Sequence, residues 1–502
     1  VTIATAVYIA VAWGARAPIY PLDEIMMVGN AKVLAGVGPD WTLQGSGFMP
    51  GLAVLLVPLW WALGSAPTVY LGGIWVAAAL AVITIWPLSR LLRSFGAQPR
   101  MSVVIAALAM IAPSRALLAN HLFSESLFLF AIVCMFVAAD AWLERRGMGR
   151  ALVLGASVAA VVLSHGRGVA VAVAMGVWCL LMIRRVGWRQ PVVAAGTGVL
   201  LSLAAFGLYV WTTSGLLVAD SRVQSAFALE SGTSFTDAVA AGMGQLWYAT
   251  LAWPLFVVFG ALALTARMRR DPLAQLVALS TVLLVALSMY RFSTPPTFDR
   301  VDGWFYGRYA DSVWAIVAAI GIAYVVRVRW PLATMVAAAS TALIGGGMWL
   351  MTVPRIPLDD FWESVHVLGV QPWLSLEAYA DSVPQNWTWL SFAPTLLAAL
   401  FGTLAYVRWW LLPVVGILWA GLTLTTDSAD IDVRDGGRSF MADPFNLQAL
   451  PSDARLGADP VLGQAVNIVT FYAGSRGVDT VSADEAPESV DVLFTRFFVT
   501  AP

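Results

Sequence analysis

The chain has 502 residues, of which 59% are hydrophobic and 12% charged, and its mean hydropathy is +0.77. That balance excludes a soluble globular protein of this length. The net charge of −1 comes with basic residues scattered in short turns between apolar runs, which excludes a nucleic-acid-binding surface.

Apolar runs fall near 1–17, 69–88, 101–118, 125–143, 151–166, 168–183, 190–211, 243–266, 272–290, 311–326, 331–351, 389–407 and 409–425. Each is near the length that crosses a bilayer, so about thirteen transmembrane helices are expected. The first run starts without Met or a basic flank, the pattern of a trimmed start rather than of a signal peptide. The shorter run 51–64, "GLAVLLVPLWWALG", contains Pro58 and reads as a surface or re-entrant helix. Many of the 23 Trp stand at run ends, where an interfacial belt is expected. Cys134 and Cys179 lie inside apolar runs, with no disulfide framework or metal-ligand spacing. Lys32 is the only lysine, which fits a GC-rich, actinobacterial composition.

Arginines follow every even-numbered run: Arg90, Arg93 and Arg100; Arg145, Arg146 and Arg150; Arg184, Arg185 and Arg189; Arg267, Arg269 and Arg270; Arg327 and Arg329; and Arg408. The positive-inside rule puts these turns in the cytoplasm. The N-terminus is then cytoplasmic, and the long loops 18–68, 212–242, 291–310 and 352–388 lie outside. The polar tail also lies outside. From Asp427 onward it has 12 acids and 5 Arg, about −7, which leaves about +6 on the membrane part. Two domains are expected: a membrane domain over 1–425, with 18–68 as its first outer loop, and a small extracytoplasmic α/β domain over 426–502. In the tail, "AVNIVTFYAG" and "VDVLFTRFFV" read as strands and "DPVLGQ" as a helix start.

This topology gathers the polar residues on one side. Asp23 and Glu24 open the first outer loop. Asn120, His121 and Glu125 lie where the third run hands over to the fourth, with Arg115 a further candidate for the outer face, and His165 and Arg167 lie at the next outer turn. Arg291, Asp299, Arg300, Asp302, Tyr306, Arg308 and Tyr309 fall in "YRFSTPPTFDRVDGWFYGRYAD". Ionisable residues concentrated at one membrane face mark a functional site. Adjacent helical residues point about 100° apart, so Asp23 and Glu24 cannot face one reacting atom. One can act as a base while the other binds an ion or braces the loop, or both are solvated loop acids. Glu125 also fits as an acid favoured by a helix dipole, and Arg308 as a snorkelling anchor or as a ligand for a lipid phosphate. Two distant histidines do not make a metal site.

The order of "PLDEIMMVGNAKVLAG", "GFMPGLAVLLVPLWWALG", "NHLFSESLFLF" and "YGRYADSVWA", closed by an outer soluble domain, resembles the GT-C glycosyltransferases. The likeness is strongest to the lipid-phosphate-dependent kind that includes protein O-mannosyltransferases and the aminoarabinose transferase of lipid A. The resemblance implies a polyprenyl-phosphate sugar as donor, a cell-envelope glycan, lipid or protein as acceptor, and inversion at the outer face of a bacterial plasma membrane. It makes Asp23 the general base, with Glu24 and Glu125 as further catalytic acids. Arg308, Tyr309, Arg291 and Arg300 would hold the donor phosphate, and His121, Asn120, His165 and Arg167 the acceptor or sugar. Glu125 could hold a divalent cation, Mg or Mn, if one is used; no metal ligand set is assigned. The sugar suited to the composition is mannose or arabinose. Two departures stand out: "GFMPGL" where a His- or Lys-Pro-Pro segment is frequent, and Glu125 preceded by His121 where the family has Asp after Arg. A lipid or sugar transporter is the competing class, but it would place charges mid-span on repeated helices, and the sequence has neither. A non-catalytic scaffold subunit is the third reading, in which Asp23 is dispensable.

Overall fold

The computed structural model describes residues 1–15, 18, 21–37, 49–213, 234–292, 300–327, 331–357, 366–374, 386–425, 451, 454–458, 471, 478–480 and 492–494. Within them the chain is a helical membrane protein. In order come α1 (Thr2–Gly14), α2 (Pro21–Ala35), α3 (Gly51–Leu63), α4 (Ala66–Ser94), α5 (Pro99–Met110), α6 (Pro113–Ala116), α7 (Glu125–Glu144), α8 (Met148–Ser164), α9 (Gly168–Val186) and α10 (Arg189–Thr213). After them come α11 (Phe235–Ala252), α12 (Phe256–Arg267), α13 (Pro272–Arg291), α14 (Asp311–Arg327), α15 (Pro331–Gly347), α16 (Gln371–Leu374), α17 (Trp387–Val407) and α18 (Leu412–Thr425).

Local chemistry sets many of these ends. Pro272 opens α13, where its missing N–H costs nothing, and the Asp271 carboxylate caps it by accepting from the Leu273 and Ala274 N–H groups at 3.0 and 3.3 Å. Gly64 ends α3 in the left-handed region at φ 69°.

Each of the thirteen apolar runs is mainly helical over its described residues, but the expected thirteen spans are not confirmed. Among the described residues seven helices are long and apolar enough to cross a membrane, or up to nine if each of two bent pairs is one span. The run 243–266 is not one straight helix: α11 and α12 meet at 108°. Pro254 lacks an N–H and clashes with the preceding turn, and Leu255 takes φ 57°, a strained conformation for leucine. The run 101–118 likewise bends by 72° ahead of Pro113. At 13 residues α3 is about 20 Å long, short of a bilayer core. It lies on α2, with the Trp60 and Trp61 indoles donating to the Val28 and Ala35 carbonyls at 2.9 and 3.1 Å.

Leu180, Leu200, Leu203, Leu343 and Ile417 stand exposed on the periphery of the helical bundle, as lipid-facing residues would. By contrast α14 is buried along nearly its whole length. Gly260 and Gly321 let α12 and α14 touch backbone to backbone, since a Cβ on either would strike a carbonyl of the other helix.

Several basic turns meet at one end. Arg267 donates to the Ser94 carbonyl at 3.3 Å and pairs with Asp271 at 3.1 Å, and Ser94 donates to Asp140 at 2.6 Å. Gly96, at φ +88°, leaves room for the Arg327 guanidinium. The opposite ends of α4, α7, α9 and α14 carry the polar cluster described below.

In the tail, Leu456–Ala458 (β1) pairs in parallel with Val478–Thr480 (β2) and Val492–Phe494 (β3), in the order β2-β1-β3. The expected strand over 490–499 thus appears in part as β3. Of the expected strand over 465–474 only Phe471 is described, and it is helical rather than extended. The expected helix start at 459–464 lies outside the described residues, as does Asp299. The Phe471 ring meets Tyr70 of α4 edge-on at 6.3 Å.

Candidate functional site

Asp23 and Glu24 occupy the first turn of α2 and diverge as helical neighbours must. The Asp23 side chain is 25% exposed and meets Arg308 Nη1 at 3.2 Å. Glu24 is sealed: its Oε1 accepts from the Tyr70 hydroxyl at 2.8 Å and the Leu122 N–H at 2.9 Å, with His121 Nδ1 at 3.7 Å. One acid therefore borders open space, and the other pins α2 to α4 and to the segment before α7.

Glu125 is the first residue of α7, where the helix dipole favours an anion. Its Oε1 accepts from Arg308 Nε at 2.6 Å and from Arg167 Nη2 at 2.8 Å, with all three side chains nearly buried. Arg167 also donates from Nη1 to the carbonyls of Arg308 and Tyr309 at 2.8 and 2.6 Å, and its guanidinium lies 4.5 Å from the Tyr309 ring centroid. It links Glu125 to the backbone beneath Arg308. The Arg308 guanidinium bridges Asp23 and Glu125 and stacks 3.8 Å from the Phe123 centroid. Burial disfavours its charge, but the Glu125 carboxylate leads the groups that overturn this and raise its pKa further. His165 Nε2 is 3.9 Å from Glu125. Burial, then the Arg167 charge, hold His165 well below the usual histidine value against the opposing pull of Glu125, so the ring is neutral.

A second cluster adjoins the first. Arg300 grips Asp302 through Nη2 at 2.8 Å and Nε at 3.3 Å, and Asp302 Oδ2 lies 2.6 Å from His366 Nδ1. Burial alone would raise the Asp302 pKa; the His366 hydrogen bond and the His366 and Arg300 charges overcome it and hold the carboxyl below its usual range. A third polar pair joins the Tyr248 hydroxyl to Asp311 at 3.0 Å, and the same hydroxyl accepts the Gly369 N–H at 3.1 Å.

The fold thus unites Asp23, Glu125, Arg167, Arg308, Tyr309 and His165. It sets His121 with Glu24 instead, its ring stacked on Phe123 at 5.1 Å, and buries the neighbouring Asn120. Arg300 belongs to the second cluster. Arg291 ends α13 beside Phe292, whose ring stacks on Tyr306 at 4.0 Å. Sequence reasoning missed His366, Tyr70, Tyr248 and Asp311. As the one remaining histidine, in the long loop 352–388, His366 offered a signal; the others lie in apolar runs and offered none.

Among the described residues no three His, Cys, Asp or Glu side chains form a group able to hold a metal ion. The carboxylates around Arg308 do not fit a divalent cation either. Glu125 is neutralised by two guanidiniums and Asp23 faces one, so a cation between them would meet positive charge.

No protein-family model matches the sequence, and no curated protein matches it. The fold, however, is similar to that of GT-C glycosyltransferases of known structure. ArnT from Cupriavidus metallidurans bound to undecaprenyl phosphate superposes with a TM-score of 0.61 at 15% identity, covering 96% of this chain and 85% of that one. Its apo state gives 0.58 at 15% identity, covering 95% and 84%. Archaeal oligosaccharyltransferase AglB from Archaeoglobus fulgidus, in complex with an inhibitory peptide and a dolichol-phosphate, reaches 0.47 at 13% identity over 97% of this chain and 64% of that one, too remote to carry weight.

Proposed function

We infer that the chain is a glycosyltransferase that moves a sugar from a polyprenyl-phosphate donor to a cell-envelope acceptor at the outer face of the plasma membrane, with inversion. The observation that carries this reading is Arg308, a buried guanidinium suspended between Asp23 at 3.2 Å and Glu125 at 2.6 Å. The fold shared with an undecaprenyl-phosphate-bound ArnT supports the lipid-linked donor.

Asp23, the acid that borders open space, takes the proton from the acceptor hydroxyl. The freed oxygen attacks the anomeric carbon, the bond from that carbon to the phosphate oxygen breaks, and polyprenyl phosphate departs with the bonding pair. Arg308, one face of which is spent on Glu125, turns its Nη1 from Asp23 to the leaving phosphate as charge develops there. Tyr309, whose ring lies against Arg167, and Arg291 are the further candidates for the donor phosphate, whereas Arg300 is spent on Asp302 and His366. Glu125 and Arg167 hold Arg308 in register, and Glu24, sealed by Tyr70 and Leu122, braces α2 so that Asp23 points outward. His165, partly exposed beside Glu125, is the candidate for the acceptor side, whereas Asn120 and His121 are buried in the segment before α7, His121 near Glu24. Residues 1–425 form the membrane domain with its N-terminus inside and about thirteen crossings, and 426–502 an extracytoplasmic domain. The sugar is mannose or arabinose.

The test reconstitutes wild type and Asp23→Asn in liposomes with a panel of polyprenyl-phosphate sugars and a crude envelope acceptor extract, and follows donor loss by mass spectrometry. The expected outcome is one donor consumed by wild type, and a turnover lower by about 10²- to 10⁴-fold in Asp23→Asn at unchanged folding. Full turnover by the Asn variant would remove the base assignment. Labelled lipid crossing the bilayer unchanged would replace the enzyme with a transporter.

A further inference from the structure

The backbone that carries Arg308 is tied down by a residue from a different loop. The His366 carbonyl accepts both the Gly307 and the Arg308 N–H, each at 3.1 Å. The His366 imidazole is itself fixed twice. Its Nδ1 lies 2.6 Å from Asp302 Oδ2, and its ring stacks on Tyr306 at 4.3 Å. Asp302 is fully buried and gripped in turn by Arg300, whose Nη2 is also 2.7 Å from His366 Nδ1. Gly307 gives the same loop a second fixed point, because a Cβ there would strike the Tyr248 ring.

An arginine side chain has many rotamers, and its fork serves two partners only if its root is placed well. Arg308 must reach Asp23 and Glu125, which belong to different helices. The geometry points to the Arg300–Asp302–His366 unit as a positioning device for Arg308: it fixes the Gly307–Arg308 backbone so that one guanidinium spans both carboxylates. None of the three touches the reacting atoms; each acts through Arg308. Asp302 orients the imidazole, Arg300 keeps Asp302 ionised and oriented, and the His366 carbonyl holds the peptide. This deepens the role given to Arg308 above and rests on it for its catalytic consequence.

The experiment uses the full chain and four variants: Asp302→Asn, His366→Ala, His366→Asn and His366→Phe. The Asn amide nitrogen stands where Nδ1 was and keeps the bond to Asp302, whereas Phe keeps the stack on Tyr306 and loses that bond. In the liposome assay, His366→Ala and Asp302→Asn are expected to lower kcat by about 10- to 100-fold, the scale of a 1 Å misplacement, with a much smaller change in donor KM. His366→Asn recovers most of the rate and His366→Phe does not. Hydrogen exchange in detergent supplies a readout that needs no turnover. Amides in the peptide 303–312 exchange faster in His366→Ala and Asp302→Asn, at the wild-type rate in His366→Asn, and the rest of the chain is unchanged.

Full kcat in His366→Phe with loss in His366→Asn would reduce the ring to a filler and overturn the proposal. So would unchanged exchange and rate in His366→Ala, or faster exchange spread over the whole chain. If wild type consumes no donor, the glycosyltransferase reading fails, and confined exchange at 303–312 still decides whether the unit positions Arg308.

Discussion

The two ends of the helical bundle use the same residue types for opposite purposes. At the basic end Arg267 pairs with Asp271 one turn on, with side chains 36% and 23% exposed. At the other end Arg167, Arg308 and Glu125 form a pair network with Glu125 only 1% exposed. The first is a solvated pair between near neighbours, and the second joins three separate parts of the chain out of water. An exposed pair costs little to break because water takes over each partner. A buried network loses far more when one member goes, because the others stay buried and charged.

The sharpest way to break this comparison is Glu125→Gln. It leaves two buried guanidiniums facing a neutral amide, and the expected loss is about 3–5 kcal/mol of stability. A fall in the midpoint of thermal unfolding in detergent measures it. A midpoint within a degree of wild type would mean that water reaches the network and that the two ends differ only in appearance.

The contrast also explains what the sequence could reveal. Hydropathy carries the helices and their order, because each run is apolar over its own length. The regular return of Arg after every second run predicts a grouping of the basic turns, and in the structure Arg267 reaches Ser94 and Arg327 reaches Gly96. The break at Trp253–Leu255 hides in an unbroken apolar run, where Pro254 is its sole mark. At the site, sidedness is enough to select Asp23, Glu125 and Arg308 as candidates. Their pairing is not legible, since Arg308 is 285 residues from Asp23 and 183 from Glu125. Tyr70 and Asp311 are invisible for the same reason: each reads as part of an apolar helix until its partner arrives from elsewhere. His366 is the miss with a cause in the reading itself, because a lone loop histidine gains meaning only from Asp302.

The next effect in size concerns the divergence of the two adjacent acids. Tyr70→Phe removes one of the donors on Glu24 at a fully buried carboxylate, and a hydrogen bond to a charged group is worth about 1.5–3 kcal/mol. Stability should fall by that amount, and turnover should fall with it if Glu24 aims Asp23 through α2. Lost stability with unchanged turnover per folded molecule would confine Glu24 to the fold and separate the pair's two tasks.

Smaller, and specific to pH, is the contribution of His165. Its folded pKa lies well below the usual value of 6.5, so the folded chain resists a proton that the unfolded chain accepts. Above about pH 6.5 both states hold a neutral ring and nothing changes. As pH falls below that value the unfolded state binds the extra proton, and stability drops by up to about 1.4 kcal/mol per pH unit until the folded ring also titrates. His165→Gln should lose this component. Comparing unfolding midpoints of both proteins at pH 7.5 and 5.5 isolates it, and equal slopes would mean that His165 is protonated beside Glu125 already at neutral pH.

The smallest expected effect belongs to the other end. Arg267→Ala breaks the Asp271 pair and the bond to the Ser94 carbonyl, yet the expected cost is about 0–1 kcal/mol, because Arg267 is solvated and Asp271 still caps α13 through the Leu273 and Ala274 amides. Turnover should be unchanged, since α4, α7 and α14 separate this turn from Arg308 by their lengths. A loss comparable to that of Glu125→Gln would instead show that Arg267 and Ser94 lock α4 against α12. Rigidity at the site would then be set partly from the far end of the same helices rather than by the buried charges alone.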